Sequence, residues 1–140
     1  MRPVHINSRR SQRGVVLVEF AMILPLLTFL LMGIFYFGLL LREHQILQNA
    51  AREGARFASL PQNAGLVTEV QSVVTSYLAN EKITVSASKV TVDQNYSIDL
   101  GDVVASGTRI TVSYSRSLPL GTALFGPVNL TGQAVFRNLY

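Results

Sequence analysis

From Phe20 to Leu41 the chain runs through 22 residues without a charged side chain. Counted from Val15 the apolar stretch is 27 residues long and is interrupted once, by Glu19. A hydrocarbon core of ~30 Å is crossed by ~20 apolar residues in a helix, so this stretch is predicted to span a membrane. It is too long for the apolar region of a cleavable secretory signal, and it ends in Leu39-Leu40-Leu41-Arg42 rather than in a small-residue cleavage site. Charge supplies the orientation. Arg2, Arg9, Arg10 and Arg13 precede the span with no acid among them, while residues 15–140 hold eight basic and eight acidic side chains. The net charge of +4 is therefore the charge of a short arm on a neutral protein. The positive-inside rule puts that arm in the cytoplasm and residues 42–140 on the far side of the membrane. A nucleic-acid partner is not expected, because such binding needs a basic patch on a folded face.

Four residues in the span stand out. Pro25 removes a backbone donor and is expected to kink or loosen one helical turn. Gly33 and Gly38 offer points of close approach to another helix. Glu19 is the anomaly, since a carboxylate at the centre of a membrane helix costs ~2.5–3.5 kcal/mol and less near an interface. It can snorkel toward headgroups or pair with a cation. No Lys or Arg follows before Arg42, ~34 Å along a helix rising ~1.5 Å per residue. A pairing cation must come from another chain or from a new N-terminus.

Arg13-Gly14-Val15-Val16-Leu17-Val18-Glu19-Phe20 resembles a type IV prepilin processing site, in which a basic leader ends in Gly and Glu is the fifth residue of the mature chain. Phe20-Ala21-Met22-Ile23-Leu24-Pro25-Leu26-Leu27 and Ala50-Ala51-Arg52-Glu53-Gly54-Ala55-Arg56 resemble the TadE-like proteins of Flp pilus (tight adherence) systems. The resemblance is specific over residues 13–58 and loose beyond them; TadF and the larger TadG-like proteins are the alternatives within it. It implies a minor pseudopilin with a pilin-like fold. A prepilin peptidase would cut between Gly14 and Val15. Glu19 would then pair with the new α-amino group of Val15 in a neighbouring subunit, an amine with a pKa near ~8 and so charged at neutral pH. The implied partners are that peptidase, other pilins and pseudopilins, the inner-membrane assembly platform and the lipid bilayer. An uncleaved single-pass scaffold of a secretion or pilus machine is the alternative.

The remaining sequence predicts an α+β exported domain. The domain plan is a leader over 1–14, a transmembrane helix over 15–41, a helical extension over 42–60 and a globular part over 61–140. Pro61 and Gln62-Asn63-Ala64-Gly65 stop the extension. Small residues at Ala50, Gly54 and Ala58 recur in steps of four and suit close packing, either on the chain's own sheet or between subunits. Leu66, Val70, Val73, Val74, Tyr77 and Leu78 line one face of a second helix over 66–79. Period-two patterning then predicts about four antiparallel strands: one through Ile83–Val92 with a bend at Ser88-Lys89, one through Tyr96–Leu100, and two more over 108–115 and 128–136. The loop Asp93-Gln94-Asn95 would turn a hairpin that sets Val92 against Tyr96 and Val90 against Ile98, with Asn95 left-handed.

Catalytic chemistry and cofactors are not expected. The chain has no Cys, its two histidines are far apart, and it carries no G-x-S-x-G elbow or phosphate loop. One weak calcium candidate remains, Asp93-x-Asn95-x-Ser97-x-Asp99 with Asp102 nearby. Ile98 stands where the loop needs Gly, and Val104 where it needs Glu.

Overall fold

A computed structural model describes the backbone of residues 9–99, 101, 104–117 and 126–139, with side chains from Gly14 onward. The chain divides after Leu39 into two units. Helix α1, Arg9–Ala58, runs through that division and continues through Pro25. Its described part reaches back through the arginine-rich arm to Arg9, because no residue between Arg9 and Arg13 breaks a helix. Over Val15–Leu41 its apolar side chains are largely exposed, with Met22 at 77% and Phe29 at 74%.

In the second unit, α1 buries Ile46, Leu47, Ala50, Ala51, Ala55 and Ala58. Their three- and four-residue spacing makes one stripe, with Gln45, Asn49, Arg52 and Arg56 on the exposed side. The helix ends where Pro61 has no N–H to give. Ser59 Oγ donates to the Arg56 carbonyl at 2.9 Å, and Asn63 Nδ2 to the Phe57 carbonyl at 2.7 Å, so the last carbonyls are satisfied. Gly65, at φ 82°, turns the chain into α2, Val67–Asn80, which buries Val70, Val74 and Leu78. α2 closes with a Schellman arrangement: Ile83 N donates to Leu78 O and Lys82 N to Ala79 O, with Lys82 at φ 61°.

The sheet has three antiparallel strands in the order β1-β2-β3: β1 Val90–Asp99, β2 Val104–Arg116 and β3 Val128–Arg137. Among the described residues the sheet departs from the expected four strands in two ways. Residues 83–86 form no strand, because Ile83 is spent closing α2 and Ala87–Lys89 is a 3-10 turn. The expected hairpin at Asp93-Gln94-Asn95 is instead a bulge inside β1. Asp93 pairs with Arg109 and Tyr96 with Gly107, so Gln94 and Asn95 together oppose Thr108. Val92 and Val90 face Ile110 and Val112 rather than Tyr96 and Ile98, and Asn95 is not left-handed.

Ile110, Val112 and Ala134 on the inner sheet face meet α1 and α2 in one core with Leu47, Val74 and Leu78. At Gly132 the backbone of Leu47 and Gln48 comes so close that a Cβ would overlap it. The sequence motifs around Leu118–Gly121 and Phe125 lie outside the described residues, as do Leu100 and Asp102.

Candidate functional site

Gly14, Val15 and Glu19 lie on α1 in the first unit, within ~8 Å of helical rise. Val15 and Glu19 stand one turn apart on the same face, an i, i+4 pair. Val15 is 55% exposed and Phe20 59%. Glu19 is exposed and has no ion-pair or hydrogen-bond partner among the described residues. Among the described residues, its carboxylate therefore sits in an apolar stretch without a compensating charge.

The four glycines on α1 fall into two kinds. A Cβ at Gly54 would strike the Val74 side chain and approach Ile110, so packing inside the second unit requires that glycine. A Cβ at Gly14, Gly33 or Gly38 would meet nothing within 4 Å. Each of these costs a helix ~1 kcal/mol relative to Ala with no return in the isolated chain. Packing among the described residues does not require them. The small-residue row corrects the subunit-packing reading: Ala50 and Ala58 are fully buried and Gly54 is buried with them, against the chain's own α2 and sheet. Neighbouring subunits could reach these residues only by opening the domain.

The calcium candidate is dispersed by the bulge. Asp93 shares a sheet face with Arg109, which it meets at 3.3 Å, and it also accepts from Asn95 N at 3.2 Å. The extra residue reverses the alternation, so Ser97 and Asp99 fall on the opposite face. Asp99 accepts from Gly101 N at 2.8 Å and so shapes the β1–β2 turn. The loop that calcium ligation needs is a strand.

Two ion pairs that sequence reading missed tie down the turn of α1 following the apolar run. Arg42 meets Glu81 beyond α2 at 3.4 Å, with both side chains largely exposed. Glu43 meets Arg116 at the end of β2 at 3.1 Å. Glu43 is 7% exposed, and its Oε2 is buried without a hydrogen-bond partner among the described residues. The Arg116 guanidinium, which also reaches the Tyr114 hydroxyl at 3.5 Å, is held above its ordinary pKa by that hydrogen bond first and by the Glu43 charge second. The only sequence signal for these contacts was the Arg42-Glu43 step at the end of the run; their partners are 39 and 73 positions away.

A family model described as TadE-like protein matches residues 14–56. The match begins at Gly14 and covers the apolar part of α1 together with most of its domain-seated part, which bears out the resemblance read from Phe20–Leu27 and Ala50–Arg56. No curated protein and no solved structure matches the chain.

Proposed function

We propose that this chain, TadE-like over residues 14–56 and so tied to the tight adherence (Flp pilus) system, is a minor pseudopilin that joins or primes a pilus. In this reading a prepilin peptidase cuts after Gly14. The arginine-rich leader leaves, and the new amine at Val15 meets Glu19 of a neighbouring subunit. The observation that carries it is the conjunction on α1 of a carboxylate at Glu19 that meets no cation among the described residues with a glycine at position 14 that no packing among them requires. Before cleavage no amine exists at Val15, so processing acts as the switch for assembly. The helix spans the inner membrane once with its N-terminus in the cytoplasm, in keeping with a mean hydropathy of 2.5 in a stretch with no buried residue. Other pilins, pseudopilins and the assembly platform are its partners.

An uncleaved single-pass scaffold is the second reading, favoured by the helical backbone that runs from Arg9 through Gly14 without a break. Intact mass of the protein from cells containing a prepilin peptidase separates the two. Loss of residues 1–14 is expected, and a full-length mass would leave the scaffold reading in its place.

A further inference from the structure

A concavity of about 290 Å³ lies in the second unit, lined by Lys89, Ser113, Tyr114, Ser115, Asn129, Leu130 and Thr131. Strand register explains how these side chains converge. Ser113 pairs with Thr131 and Ser115 with Asn129, so hydroxyl and amide groups from β2 and β3 share one face of the sheet. Lys89 precedes Val90, the partner of Val112, and so reaches the same end. Its ammonium has no carboxylate partner among the described residues. The result, among the described residues, is one unpaired cation beside hydroxyl and amide groups, while Tyr114 and Leu130, which pair with each other, stand on the opposite, core-facing side of the sheet. That chemistry fits a phosphate diester carrying one negative charge. Another concavity of about 280 Å³, lined by Thr75, Ser76, Ala79, Ile83, Thr84 and Val85, holds no ionisable side chain.

The position of the Lys89 concavity selects the source of the phosphate. Ser115 adjoins Arg116, which pairs with Glu43, two residues after the apolar run ends at Leu41. Arg42 and Arg116 are neutralised by Glu81 and Glu43, whereas Lys82 and Lys89 have no ion-pair partner among the described residues, which leaves two uncompensated positive charges in this part of the second unit. Lys82 adds its charge from a left-handed position that glycine would fill with less strain.

We propose that this concavity is a headgroup site for an anionic phospholipid, with Lys89 as the charge partner and Ser113, Ser115, Asn129 and Thr131 as donors to the phosphate and glycerol oxygens. It rests on the membrane anchorage stated under the proposed function. The lipid would hold the domain at the bilayer surface before the subunit leaves the membrane.

The test uses the full chain reconstituted with equal amounts of phosphatidylglycerol and phosphatidylcholine, with retained lipids counted by native mass spectrometry. Wild type is expected to retain phosphatidylglycerol preferentially. Lys89→Gln should lower that preference about fivefold, the worth of one basic side chain at an anionic surface. Arg52→Gln, the same charge change on an exposed part of α1, should leave it intact. Equal retention in wild type and Lys89→Gln, or an equal loss in Arg52→Gln, would overturn the site. Displacement of the lipid by millimolar inorganic phosphate would assign the concavity to a soluble anion and overturn the lipid reading. Flotation with pure phosphatidylcholine vesicles reads anchorage separately: the chain should float whether or not Lys89 is present. Failure to float would refute the anchorage, whereas flotation without lipid preference would refute only the headgroup site.

Discussion

Glycine has opposite meanings at different places along this chain, and the difference is physical rather than compositional. Gly132 sits where the Leu47 carbonyl group approaches the strand, and backbone cannot swing aside as a side chain can. Gly132→Ala should therefore cost about 2–3 kcal/mol, from the overpacking of a well-filled core, read as a lower urea midpoint for the second unit. Gly33→Ala and Gly38→Ala meet open space and should leave that midpoint unchanged. If their role is close approach to other helices, the defect should show in pilus assembly instead. Glu43 and Arg116 make a further residue-level case. Arg116→Met leaves the Glu43 carboxylate buried without its cation, but Arg116 is 39% exposed and solvent screens the pair. A loss of about 1–2 kcal/mol in the same titration is expected.

At the scale of elements, the first helix was legible as a charge-free run of membrane length, and the second because its apolar residues recur at helical spacing. The second was read as 66–79 and is Val67–Asn80. The sheet was less legible. Alternation broke near residue 93, and a turn and a bulge produce the same break in a one-dimensional pattern. Long-range hydrogen bonds decide between them. The Gln94 side chain accepts from Gly65 N at 2.7 Å and donates to the Asn63 carbonyl at 3.3 Å, while Asn138 Nδ2 donates to the Gln94 carbonyl at 3.0 Å. Asn138, buried, also accepts from Thr108 Oγ1 at 2.8 Å, the residue that the bulge straddles. Asn138→Ala should strand the buried Thr108 hydroxyl and cost about 2 kcal/mol. Hydrogen exchange should quicken first at Gln94 and Tyr96, ahead of the α2 amides.

Across the whole molecule, the first unit exposes its apolar surface and the second encloses a core that α1 shares with α2 and the sheet. Glu19→Ala tests how the chain is used: processing after Gly14 should proceed as in wild type, and the protein should be missing from sheared pili. Normal incorporation of that variant would remove the proposed ion pair. What the sequence by itself determined is whatever depends on local order. The charge-free run, the arginine arm before it, the Gly14–Glu19 spacing and the family resemblance over α1 are all read along one strand of text, since a membrane-length helix satisfies its own backbone. Tertiary structure decided what depends on partners far away in the chain. It assigned Ala50, Gly54 and Ala58 to the chain's own core, made one bulged strand of a supposed hairpin, and set Lys89 beside hydroxyls from β2 and β3. Each of these outcomes follows from contacts that close only when helix and sheet meet, so no window of sequence contains their cause.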